Sequence, residues 1–148
     1  MGRSLVVACA LWFVVNVVWA DDPVRTCATL REYQAFDFAR YERGYLEALH
    51  SPLPAIVECA LRDMAAIKLA QPDLTCERTY RRISELAEGG STPAVRYKAM
   101  LVRFIFDFPA LFVDDREREF VNDHDLFAAV EARLHRSTLV LTDRKSVV

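Results

Sequence analysis

Three sets of side chains in this sequence could do chemistry: the cysteines Cys9, Cys27, Cys59 and Cys76, the acidic groups Asp114, Asp115, Asp123 and Asp125 around His124, and the cations Arg96, Lys98 and Arg103. Carboxylates and an imidazole gathered in one cleft can hold a divalent ion and activate water, which is the chemistry of a small metal-dependent hydrolase using an Asp/His cluster near residues 114–125. Three consecutive loop residues converge poorly on one ion, however, and Asp125 has a simpler task as the N-cap of a final helix. No metal ligand or catalytic residue is therefore assigned, and no cofactor is expected. His50 and His135 each end a helical pattern, where a cation interacts favourably with the helix dipole. The sequence holds no HExxH, CxxC, GxSxG or phosphate-cradling glycine loop, so the expectation is a protein that is not an enzyme.

What the cysteines can do depends on the compartment, and the N-terminus speaks to that. Arg3 supplies a basic start, Leu5 to Val18 an apolar stretch, and Val18-Trp19-Ala20 a small-residue exit, the three parts of a cleavable signal peptide over residues 1–20. The stretch is about 14 residues, short of the roughly 20 of a spanning helix, and it contains Asn16. Export is the expectation, to the periplasm or to the exterior according to source, with the membrane touched only transiently through the signal. Cys9 leaves with the leader, and three cysteines remain where disulfides persist.

The full chain carries 19 basic and 21 acidic side chains, a net charge of −2 that becomes one unit more negative once Arg3 is removed. The signs are interspersed, so no nucleic-acid surface is expected. Residues 21–136 are enough for one domain, and 137–148 read as a C-terminal tail.

Proline and glycine cut that domain into helix-sized pieces. Phe38, Tyr41, Tyr45, Leu46 and Leu49 recur at helical spacing over about 36–49. Ser51 and Pro52 then start a helix running to about Leu69, whose broad apolar side holds Ile56, Val57, Ala60, Leu61, Met64, Ala65 and Ile67. Asp73 can cap a third helix over 74–87, closed by a left-handed exit at Gly89-Gly90. Ser91 or Thr92 caps a fourth from Pro93 to Asp107, apolar most of the way round and so destined for the middle of a stack. After Pro109 the pattern predicts a short turn at 110–113, a charged helical piece at 115–121, a helix at 126–135 and a short β-favouring run at 138–142. The fold class is all-α, a small antiparallel stack of about five or six helices.

Short loops between antiparallel neighbours place the start of the first long helix near the end of the second. Cys27 should then lie near Cys76, whereas Cys59 sits about nine residues farther from the turn, roughly 13 Å at 1.5 Å per residue. That exceeds the roughly 7 Å limit for bridged Cα atoms. A Cys27–Cys76 disulfide with Cys59 buried and free follows; the alternative is three reduced thiols.

Pro54-Ala55-Ile56 and Pro93-Ala94-Val95 match at an offset of 39, as do Ala60 and Ala99, a period typical of two-helix solenoid units. The units would span about 52–90 and 91–122, each pairing a broad apolar helix with the segment after it. Thr92-Pro93-Ala94-Val95-Arg96, followed by Ala99, resembles the first-helix signature of HEAT-like repeats, and residues 41–112 are similar to short exported bacterial helical proteins of unassigned function. The resemblance implies an α-solenoid fragment with a binding role. It also implies that Arg96 tethers adjacent repeats; the other reading makes Arg96, with Lys98 and Arg103, an anion anchor. Phe104, Phe106, Phe108 and Phe112 are either core or, if the stack ends there, a partner-binding surface. The function expected is an exported, non-catalytic binding or scaffold module holding a protein or peptide.

Overall fold

The computed structural model describes residues 30–116 and 118–145, with side chains through Ser137. Residues 1–20, where a leader is expected, and Cys27 lie outside the described residues. The order of elements is α1 (Leu30–Gln34), α2 (Phe38–Leu49), α3 (Pro54–Ala70), α4 (Glu77–Gly89), α5 (Pro93–Asp107), a 3-10 turn (Pro109–Asp115) and α6 (Asp123–Lys145). The class is all-α, with no strand among the described residues.

Local chemistry sets each boundary. Thr92 Oγ1 accepts from the Val95 amide at 3.1 Å, capping α5, and Pro93 occupies the first turn, where its missing N–H goes unmissed. Pro54, rather than Pro52, plays that part in α3, because Ser51 Oγ is taken by the Leu53 amide at 3.2 Å and closes a local turn instead of capping. In α2 the helix begins at Phe38, since the Phe36 amide turns back to Tyr33 O. Asp73 does not cap α4. Lys68 Nζ donates to the carbonyl oxygens of Pro72 (2.6 Å) and Leu74 (2.7 Å), and this holds the connection open until Cys76.

Gly90 is not left-handed: its φ is −59°, and no described residue has a positive φ. It is required for closeness instead. A Cβ there would lie 2.6 Å from Leu86 O and 2.9 Å from Val95 Cγ1, so α5 can fold tightly onto α4 only over a hydrogen.

The end of the chain differs most from expectation. The 3-10 turn runs to Asp115, and the described residues 118–122 are irregular where a charged helical piece was expected. α6 starts at Asp123 rather than Leu126. Asn122 Oδ1 accepts from the Asp125 amide (2.9 Å) while Asp125 Oδ2 accepts from the Val121 amide (3.3 Å), a reciprocal arrangement akin to a capping box, so Asn122 and not Asp125 is the cap. α6 then continues through Lys145, across the expected β-favouring run and most of the tail. β-branched residues cost a nucleated helix only tenths of a kcal/mol each, about the scale of their propensity deficit.

Packing joins α2 to α3, α4 to α5, α2 to α4 and α3 to α5, while α3 and α4 lie diagonally with no extensive contact. The result is two helical hairpins, α2–α3 and α4–α5, laid side by side in two layers. This phase differs by one helix from units of 52–90 and 91–122. The tight links at 50–53 and 90–92 fold consecutive helices into antiparallel neighbours, whereas the longer link at 71–76 carries the chain across the diagonal.

The repeat also turns by one residue. Val57, Leu61, Met64 and Ile67 of α3 are fully or almost fully buried, and so are Val95, Ala99, Val102 and Ile105 of α5, an offset of 38 rather than 39. Ile56, the sequence partner of Val95, is 43% exposed. One residue is about 100° of helix rotation, enough to move a side chain from core to flank. α3 is enclosed by α1, α2, α5 and the 3-10 turn, which buries every residue from Met64 to Leu69.

Candidate functional site

The acidic groups singled out from sequence are divided among three cations, with Asp114 and Asp115 sharing one. Asp115 Oδ2 lies 2.9 Å from Arg133 Nη2 and 3.1 Å from its Nε, with Asp114 3.5 Å from Nη1 of the same guanidinium. Asp125 faces Arg118 at 3.6 Å, and Asp123 faces Lys98 at 3.1 Å. His124 is exposed. Among the described residues, no three or more His, Cys, Asp or Glu side chains gather closely enough to hold a metal ion.

The three α5 cations have unequal structural duties. Arg96 Nη1 donates to Gly90 O at 2.8 Å, tying α5 to its own link. Arg103 reaches Glu88 only at 3.8 Å. Lys98 spans most: its ammonium donates to Glu58 Oε2 (2.8 Å) on α3 and Asp123 Oδ2 (3.1 Å) on α6, and stands 5.5 Å from the Phe127 ring centroid. Burial disfavours charge on Lys98, but the hydrogen bonds to Glu58 and Asp123 outweigh it and its pKa is raised. Burial likewise pushes against ionisation of Asp123, and the Lys98 bond overcomes it to lower that pKa.

Cys59 and Cys76 are free thiols in the structure, and their environments reverse part of the expectation. Cys59 is exposed, not buried. The rotation that frees Ile56 also turns Cys59 toward a shallow groove between α2 and α3, beside Tyr41 and Tyr45. Cys76 is buried, and desolvation, with the Glu42 carboxylate adding to it, pushes its thiol up to about 11. The chain before α2 is held beside the Cys76 connection, because Gln71 Nε2 donates to Tyr33 O (2.6 Å) and Phe36 O (2.7 Å).

Two structural residues were missed from the sequence. Lys68 is 6% exposed, with its ammonium 5.1 Å from the Phe106 ring centroid in addition to its two carbonyl partners. Its one sequence signal was a lone charge in the last turn of an apolar helix. Arg133, half-buried against Asp115, carried no local signal at all because its partner lies in a different element.

The aromatic series divides. Phe112 is buried and Phe104 and Phe106 half-buried, but Phe108 is 51% exposed. Phe104 and Phe108, with Pro109, Leu111 and Leu134, line a groove of about 750 Å³ between the end of α5, the 3-10 turn and α6. The lining is mostly apolar, with Arg133 and Arg136 among its polar members. Arg133 is engaged with Asp115, whereas Arg136 is exposed and makes no hydrogen bond or ion pair among the described residues. No described helix is long and apolar enough to cross a membrane. No protein-family model, curated relative or solved structure matches the chain.

Proposed function

We propose that this chain is an exported, non-catalytic module, a short HEAT-like stack that holds an apolar segment of a protein partner in the groove between α5, the 3-10 turn and α6. The observation that carries the reading is Phe108, a large apolar side chain half in solvent at the mouth of a groove lined mainly by apolar atoms. An aromatic anchor beside an apolar trough is the usual centre of a protein-binding surface, and an unengaged arginine at its edge suits a backbone carbonyl or carboxylate of the bound segment. Export rests on the composition of residues 1–20, and a protein working outside the cytoplasm meets its partner there. The hydrolase reading requires Asp114, Asp115, His124 and Asp125 in one cleft, and their dispersal onto Arg133 and Arg118 lends it no support.

A photo-crosslinking residue placed at Phe108, and separately at the exposed Arg40 on α2, tests the reading in the source cell. The expected result is a discrete adduct with one protein from the Phe108 position and none from Arg40. Equal or absent crosslinking from the two positions would remove the groove as the docking surface.

A further inference from the structure

Away from the apolar groove, the layer formed by α2 and α4 carries a cleft of about 500 Å³ lined by Arg43, Arg78, Arg81, Arg82 and His50, with only Glu47 and Glu85 as carboxylates. Four guanidinium groups over two carboxylates stand out in a chain whose net charge is −2. The spacing explains how they come together. Arg78, Arg81, Arg82 and Glu85 follow at three- and four-residue intervals on one side of α4, and Arg43, Glu47 and His50 do the same on α2. The side-by-side packing of α2 and α4 makes the two rows opposite walls.

These cations are weakly committed. Arg43 and Glu47 pair at 3.0 Å, and Arg81 and Glu77 at 3.1 Å, both within one helix and both largely exposed. Pairs of that kind contribute only about 0.2–1 kcal/mol and exchange readily for another carboxylate. Arg82 is better held: Nε donates to Leu49 O at 3.1 Å and Nη1 to Glu85 at 2.9 Å, which aligns its guanidinium across the gap between the helices. Arg78 makes no hydrogen bond or ion pair among the described residues. His50 Nδ1 sits 2.7 Å from Leu46 O, which can only accept, so Nδ1 is the donor, and Nε2 has no partner among the described residues.

We propose that the α2–α4 cleft binds a carboxylate-rich peptide segment of a protein partner, with Arg78 and Arg81 as the principal contacts and Arg82 as the fixed floor. The fork of a guanidinium matches a carboxylate in two parallel hydrogen bonds, so several arginines on facing walls suit a short run of Asp or Glu. The charge is local, set within an acidic chain with interspersed signs, and this favours a short acidic segment over an extended polyanion or an anionic bilayer, each of which needs a broad basic field. The proposal extends the partner-holding reading to a second surface and does not depend on the apolar groove.

The test uses the full chain and a fluorescein-labelled oligoglutamate peptide, read by anisotropy at low and moderate salt. Saturable binding that weakens with salt, falls about tenfold or more in the double variant Arg78→Glu/Arg81→Glu, and is unchanged in Arg31→Glu, an exposed arginine of α1 outside the cleft, supports the site. Both reversed arginines are exposed, and circular dichroism checks that the variant keeps its helices. Absence of binding, or binding that the double variant leaves intact, overturns it. Stronger binding to phosphatidylglycerol vesicles, or competition by inorganic phosphate at concentrations where glutamate does not compete, assigns the cleft to another anion and overturns the peptide reading. Loss of Phe108 crosslinking with oligoglutamate binding retained would strike the apolar groove alone.

Discussion

Lys98 Nζ stands 2.8 Å from Glu58 Oε2, and this contact joins the second helices of the two hairpins while the same ammonium reaches Asp123 on α6. Neither partner lies within one turn of Lys98 in sequence, so the interaction is tertiary in origin. Lys98 thus makes the link between α3 and α5, while Arg96, two positions earlier, is occupied with the carbonyl of Gly90 next to its own helix.

Replacing Lys98 with Ala therefore leaves two partly buried carboxylates without their shared cation. A loss of about 1–3 kcal/mol is expected, the usual cost of stranding charged hydrogen-bond acceptors. A urea titration should show a lower midpoint with unchanged slope. The same substitution at Arg103, whose contact to Glu88 is 3.8 Å and largely exposed, should leave the midpoint almost where it was.

Gly89 and Gly90 make opposite predictions from adjacent positions. A Cβ at Gly90 meets backbone oxygen at 2.6 Å, and neither Leu86 O nor the fully buried Val95 can move without disturbing the α4–α5 contact, so Gly90→Ala should cost about 1–3 kcal/mol. At Gly89 nothing lies within 4 Å and φ is not positive, so Gly89→Ala should be neutral or stabilise by about 0.4–1 kcal/mol through the unfolded chain. Thermal melts of the two variants moving in the same direction would contradict this account.

How far the fold could be read from sequence is visible in these same residues. Pro93, Thr92 and the apolar runs of α3 and α5 are local signals, and they located helices correctly because caps and periodicity act within a few residues. The dipeptide at 89–90 announced a turn but not its cause, since close approach is a property of two helices and leaves no mark in one. The one-helix shift in the hairpins has the same origin. It depends on the path of the 71–76 link, which is set by Lys68 bonding to carbonyls that any residue would present. Of the proposed binding surfaces, the Arg78-Arg81-Arg82 spacing on α4 and the Arg43-Glu47-His50 spacing on α2 were open to inspection, but that the two rows face one another follows only from packing.

The cysteines should differ sharply in reactivity. In the reduced protein Cys59 is exposed and should label rapidly with a maleimide in the folded state, whereas Cys76, buried and with its thiol raised to about 11, should resist until unfolding. The bridge to Cys27 is retained as a proposal, supported by the way Gln71 holds Tyr33 and Phe36 beside the connection that carries Cys76. Non-reducing peptide mapping of the protein isolated without reductant should yield a linked Cys27–Cys76 peptide; a link involving Cys59 would sink the assignment.

Lys68 and Lys98 should pull stability in opposite directions at alkaline pH. Burial lowers the Lys68 pKa below its ordinary 10.5, so the unfolded chain binds the proton more tightly, and stability attributable to Lys68 rises as pH climbs toward 10.5. The Lys98 pKa is raised, so its contribution is complete below 10.5 and is lost as pH passes upward through the folded value. Asp123 mirrors this on the acid side: its lowered pKa gives a contribution present above 3.8 and lost as pH falls through the folded value. Lys68→Met removes two short hydrogen bonds and strands the carbonyls of Pro72 and Leu74, at a cost of about 1–3 kcal/mol near neutrality. Denaturation midpoints followed from neutral to strongly alkaline pH should therefore show the gap between wild type and Lys68→Met widening toward pH 10.5. The gap to Lys98→Ala should hold steady over that range and narrow above it. Parallel behaviour of the two gaps would mean that the carbonyl cradle around Lys68, and not the burial of its charge, governs that residue.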